Sequence, residues 1–151
     1  MRRAQIVLLY GCATWTLSTA LTRRLDTFHR SCLRNILGIR WNDFITNEEV
    51  YARARNPTQI TTTIKQRRLQ LLGHVVRLPD DTPAKRLLFE ASRPPPHGWR
   101  RPRGRPRLRW TTQVAAALPR PHPADPFSYL LSLAPDKQDF KWSISTALLG
   151  P

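Results

Sequence analysis

Apolar residues recur at spacings of three and four along the first half of the chain, the period of a helix with one buried face. Leu21, Leu25, Phe28, Cys32 and Ile36 form the first such stripe, starting near Ser18 or Thr19, with Gly38 placed as a C-cap. Arg23, Arg24, Arg30 and Arg34 fall on its outer faces. Ile6 to Tyr10, just before it, fits either a short helix or a buried strand. Beyond a turn at Trp41-Asn42-Asp43, Thr46-Asn47-Glu48-Glu49 reads as a capping box opening a short helix with Val50 and Tyr51 inside. Asn56-Pro57 should end that helix. Pro57-Thr58 then opens a longer one to about Arg77, with Ile60, Ile64, Leu71, Leu72, Val75 and Val76 buried. Lys65, Arg67 and Arg68 on this helix are expected to be exposed. Asp81-Thr82-Pro83, a cap followed by proline in the first turn, starts a fourth helix carrying Leu87, Leu88 and Phe89.

The pattern then breaks. Ser92 to Arg107 contain no aliphatic residue, and Pro94-Pro95-Pro96 impose an extended backbone. No acid occurs between Glu90 and Asp125. This stretch reads as a linker or arm. A helix resumes over Leu108–Leu118, anchored by Trp110 and Val114, and stops at Pro119. Tyr129–Leu133 and Phe140–Leu149 carry two weaker helical patterns with poor connection to the rest. The expected architecture is therefore all-α: a small irregular helical bundle over 1–91, a basic arm over 92–109, and a helix with a weakly folded tail over 110–151.

Charge gives this layout a direction. The 151 residues hold 25 Lys+Arg against 10 Asp+Glu, a formal net charge of +15. Such an excess points to a polyanionic partner. Lysine is confined to Lys65, Lys85, Lys137 and Lys141, so arginine carries most of the charge. That bias favours bidentate recognition of phosphates or bases, and hence nucleic acid over a membrane surface. No apolar run approaches the roughly 18 residues needed to span a bilayer. Met1-Arg2-Arg3 before an apolar run has the form of a short signal peptide, and residues 1–25, free of acid, share a trait of transit peptides. A folded first element explains the same run more simply.

The arginines concentrate in one place: Arg100, Arg101, Arg103, Arg105, Arg107 and Arg109, six in eleven positions. Within them, Pro102-Arg103-Gly104-Arg105-Pro106 has the form of an AT-hook core. Glycine lets the backbone lie on the floor of a narrow minor groove, prolines hold the flanks extended, and Arg103 and Arg105 project along the groove. Arg100, Arg101, Arg107 and Arg109 would clamp phosphates on either side. The alternative is a solvated hinge or nuclear-import signal; a DNA-binding arm or an import signal implies a nuclear location, with the cytoplasm or mitochondrion as alternatives. Lys65, Arg67 and Arg68 offer a secondary basic surface, or simply a solvated helix face.

Catalytic and metal chemistry find little support. His29 and Cys32 lie one helical turn apart, and Cys12 could join them, but a fourth ligand and the usual paired spacings are missing. Two cysteines, Cys12 and Cys32, suit small buried hydrophobes in a reducing compartment. Asp80-Asp81, like the adjacent Glu48-Glu49, is explained by a helix start. No glycine-rich phosphate loop or nucleophile motif is present, so neither an enzyme, a cofactor nor a small-molecule substrate is expected.

Several stretches in order resemble the region downstream of the reverse transcriptase in non-LTR (LINE-type) retrotransposon polyproteins. They are Val7–Leu17; Leu25-Asp26 through Cys32–Trp41; Thr46–Val50; Arg67–Arg77, with Gly73-His74 inside it; and Arg101–Pro106. The likeness covers about residues 5–115. It implies a helical, thumb-like region that helps hold template and primer, and it carries over no catalytic residue, because the family's polymerase and endonuclease acids lie in other parts of the polyprotein. His74 fits a partly buried helix-face position better than a phosphate contact. Beyond about Leu118 the family's tail is not recognisable, and the resemblance implies no fold for 119–151. Two functions remain open: a non-catalytic nucleic-acid-binding fragment, of DNA or RNA, and a translated remnant whose charge is incidental.

Overall fold

In a computed structural model, the described residues are 7–93, 97–100, 102–104, 107–117, 131–132 and 134–149, with backbone only at 92, 142, 143 and 146–149. The fold is all-α, and no strand occurs among the described residues. Helix α1 spans Thr19–Ile36, α2 Asn47–Arg53, α3 Ile60–Val76, α4 Pro83–Ser92, α5 Trp110–Ala115 and α6 Lys137–Leu149. Single turns of 3-10 helix at Cys12–Thr14 and Trp41–Asp43 precede α1 and α2. No helix among the described residues is long and apolar enough to cross a membrane. The chain divides into two compact units, Leu17–Ile64 and Met1–Thr16 with Lys65–Pro151.

In the Leu17–Ile64 unit, the ends of α1 form as the sequence dictates. The Ser18 hydroxyl accepts from the Leu21 amide, capping the start. At the other end Gly38 takes φ 67°, with Ile39 N–H donating to Arg34 O and Gly38 N–H to Asn35 O. That is a Schellman closure, which glycine adopts without a Cβ penalty. Thr46 caps α2 by accepting from Glu49 N–H at 3.3 Å. The reciprocal half of the expected box is replaced, because the Glu49 carboxylate instead pairs with Arg53 at 2.6 Å, one turn along. Arg55 and Asn56 both have positive φ and stop α2 ahead of Pro57. Arg34, expected on an outer face, reaches across to donate to Ile45 O at 2.6 Å and so ties the 40–46 turn to α1. Leu33 and Val50 are buried, and Thr61 donates to Asp26 from α3.

The other unit is built around the C-terminal half of α3. Leu69, Leu72 and Val76 pack with Leu88 of α4, Val114 and Ala115 of α5, and Phe140 and Ile144 of α6. Thr82 stands at the N-cap position of α4 with Pro83 in its first turn, but its side chain makes no capping hydrogen bond. Asp80 does not act at that cap. It pairs with Lys85 at 2.7 Å, which holds its carboxyl below the usual range. The Lys85 ammonium also donates to Leu78 O.

The tail is better connected than its weak periodicity implied. The Asp136 carboxylate accepts from the Gln138 and Asp139 amides, starting α6, and these bonds lower its pKa. Phe140 and Ile144 then bury almost completely. Arg77 donates to Ala134 O at 2.8 Å, linking the end of α3 to the segment before α6. All of 119–130, and the Tyr129–Leu133 pattern except Leu131 and Ser132, lie outside the described residues.

Candidate nucleic-acid interface

The arm leaves α4 at Arg93 and rejoins helical structure at Trp110. Its far end is fixed by the Trp110 indole, which donates to Ala13 O at 2.7 Å across 97 residues of sequence. Arg109 occupies the N-cap of α5, its carbonyl accepting from Gln113 N–H. Arg100, Arg103, Gly104, Arg107 and Arg109 are exposed, whereas Arg101 and Arg105 lie outside the described residues. The ion pairs found among the described residues involve Arg53, Lys85 and Arg93 at the start of the arm, and none takes up Arg100, Arg103, Arg107 or Arg109. Gly104 has φ 157° and nothing within 4 Å of the position a Cβ would occupy, so backbone conformation rather than crowding calls for glycine there.

The arm does not stand free of the helices. Trp99, Pro102, Arg103, Gly104 and Arg107 form one wall of a cavity of about 860 Å³. Leu71 and Val75 of α3 and Ala84, Leu87, Leu88 and Ala91 of α4 supply an apolar floor. Leu108, Arg109 and Trp110 close the end nearest α5. Among the described lining residues, arginine is the only charged type. Trp99 remains 54% exposed and Leu87 69% exposed, so this apolar surface is open to solvent.

The secondary basic surface is corrected. Lys65 is exposed, but Arg67 is half-buried and donates to Leu9 O at 2.9 Å, with the Cys12 sulfur 3.8 Å away. Arg68 is only 5% exposed, and its Nε and Nη2 have no hydrogen-bond partner among the described residues. Burial pushes its pKa down, with nearby Cys12 opposing. The cause is helical register: Ile60, Ile64, Arg68, Leu72 and Val76 form one continuous i, i+4 line down the buried side of α3. Charge type suggested solvent, and position decided otherwise. His74 is corrected in the opposite sense, since it is exposed rather than partly buried.

His29 takes a core role. It is 1% exposed, its ring centroid lies 6.0 Å from that of Tyr51, and neither ring nitrogen has a partner among the described residues. Burial lowers its pKa, with Asp26 opposing and Arg30 adding to the shift. Cys32 is half-buried and Cys12 buried, both as free thiols. No group of three or more His, Cys, Asp or Glu that could hold a metal occurs among the described residues.

The chain is 32% identical over 113 residues to an uncharacterized transposon-derived protein of Caenorhabditis elegans, a match covering 71% of this chain and 38% of that protein. This likeness supports a transposon origin. The chain thus spans well under half the length of the curated relative it matches. No family model matches it, and no solved structure does.

Proposed function

We propose that this chain is a non-catalytic nucleic-acid-binding fragment derived from a retrotransposon reverse transcriptase, with the 100–109 arm as its contact surface. The observation that carries the reading is the solvent-facing row of Arg100, Arg103, Arg107 and Arg109, unpaired with any described carboxylate, on a chain of net charge +15. Guanidinium groups left open in this way suit phosphate oxygens, which they meet with paired, charge-assisted hydrogen bonds. The transposon-derived relative fits the origin half of the proposal. The test is binding of A·T-rich duplex, G·C-rich duplex and an RNA hairpin by the intact chain and by an Arg103→Ala/Arg105→Ala variant. The reading requires that at least one ligand bind and that the variant lose affinity for it; equal binding by both chains refutes the arm's role.

A second reading is favoured by a different observation. Trp41, Phe44 and Tyr10 are 89%, 88% and 85% exposed, which is unusual for large aromatic side chains. A remnant separated from the polymerase it once packed against would expose such surface. Limited proteolysis and thermal melting separate the two: a working domain resists protease and melts cooperatively, whereas a remnant aggregates and is digested throughout.

A further inference from the structure

We infer that the cleft beneath the arm takes single-stranded nucleic acid, with unpaired bases against Trp99 and the aliphatic floor and phosphates on the arginine rim. This rests on the nucleic-acid-binding reading above and narrows it to one class of ligand.

Three features of the cleft converge. Its volume, about 860 Å³, lies toward the upper end of the roughly 300–1,000 Å³ found for ligand pockets, so it can receive more than an isolated phosphate. Its floor is apolar, with Leu71, Val75 and Leu87 beside the half-exposed ring of Trp99. Among the described residues its charged lining groups are Arg103, Arg107 and Arg109, so a polyanion is the complementary occupant.

A duplex uses only part of this arrangement. Its phosphates could meet the arginines, but its bases are stacked inward and leave the floor unfilled. An arm that reads a minor groove must also be enclosed by the groove walls. Here Trp99, Pro102, Arg103, Gly104 and Arg107 line the same cleft as residues of α3 and α4. A single strand presents base faces and phosphates together, the pairing that aromatic platforms edged with arginine bind without regard to sequence. Trp110 is less free to act, because its indole nitrogen is committed to Ala13 O, so Trp99 is the stacking residue.

The test titrates the full chain with fluorescently labelled oligo(dT), an A·T duplex of the same length and poly-glutamate, following anisotropy and tryptophan quenching. Trp99→Ala should weaken oligo(dT) binding by roughly 5- to 150-fold, the span of about 1–3 kcal/mol per stacked base, and leave duplex binding nearly unchanged. Trp99→Phe should recover most of the loss, which a merely damaged fold would not. Circular dichroism of both variants should match the parent. Equal affinity for the two nucleic acids with no effect of Trp99→Ala overturns the inference and leaves the nucleic-acid reading intact. Poly-glutamate binding more tightly than oligo(dT), and lost in Trp99→Ala, also overturns it by assigning the cleft to an acidic protein. Failure of every nucleic acid to bind overturns both.

Discussion

Gly73 sits inside α3 with Phe140 of α6 pressed against it, and replacing it by alanine tests whether the C-terminal helix docks as described. A Cβ at position 73 would clash with Phe140 Cε1, lie 2.7 Å from Phe140 Cδ1 and 3.0 Å from Arg77 Nη1. Contacts this short require something to move. The Phe140 ring is only 3% exposed and does not give way cheaply, whereas the exposed Arg77 guanidinium can shift at the expense of its bond to Ala134 O. Taken alone, alanine in a helix interior is favoured over glycine by about 1 kcal/mol. Overpacking a filled core costs about 1–3 kcal/mol. With two ring atoms in the way, Gly73→Ala should lower stability by roughly 1–2 kcal/mol net. Urea unfolding followed by far-ultraviolet circular dichroism would show this as a midpoint lower by roughly 0.5–1 M, for a slope near 2 kcal/mol/M. In a Phe140→Val background the obstructing ring atoms are gone, and the same substitution should become neutral or stabilising. A Gly73→Ala chain more stable than the parent, with Phe140 intact, would refute the docking of α6 on α3.

Arg68→Met keeps a long apolar stem on the buried line of α3 and removes guanidinium donors that lack partners. It should raise stability by about 1–3 kcal/mol in the same assay, the cost usually attached to an unsatisfied buried polar group. Nucleic-acid affinity should not change, and a loss like that of an arm variant would contradict the burial of Arg68. His29 predicts a pH dependence. Its folded pKa lies below the ordinary 6.5, so as pH falls through that value the unfolded chain takes up a proton that the folded chain resists. Its contribution to stability is therefore full above about pH 6.5 and is lost as pH falls through 6.5 and then the lower folded value. A His29→Leu variant should show a flatter dependence of urea midpoint on pH across this window, and an identical dependence would refute the assignment.

Local signals accounted for much of the architecture. Ser18, Gly38, Thr46 and Thr82-Pro83 fix helix ends through bonds and φ values set within a few residues, and the helices begin and end close to them. At Arg68 residue type and register conflict: charge favours the surface, but Ile64 and Leu72 on either side mark the line as buried, and register prevails. The docking of α6 was not legible. It depends on Phe140 filling the space left by a glycine 67 positions earlier, and nothing in the local periodicity of Lys137–Leu149 reports such a partner. The cleft was hidden for a similar reason. The Arg/Pro/Gly pattern gives an extended, basic arm, but not that Leu71, Val75 and Leu87 lie beneath it. The long-range bond from Trp110 to Ala13 O is equally silent in sequence, although a tryptophan directly after the arginines was the available hint.

The central claim is that the arm's arginines meet phosphates, and the slope of log K against log[salt] for duplex DNA tests it most directly. If all six arginines of the arm neutralise phosphates, the slope should be about −5. In an Arg103→Ala/Arg107→Ala/Arg109→Ala variant it should fall to roughly half that value, because each lost contact removes about 0.9. A shallow slope in the intact chain, or a steep one that the triple variant leaves unchanged, would contradict the account and make the arm a charged hinge.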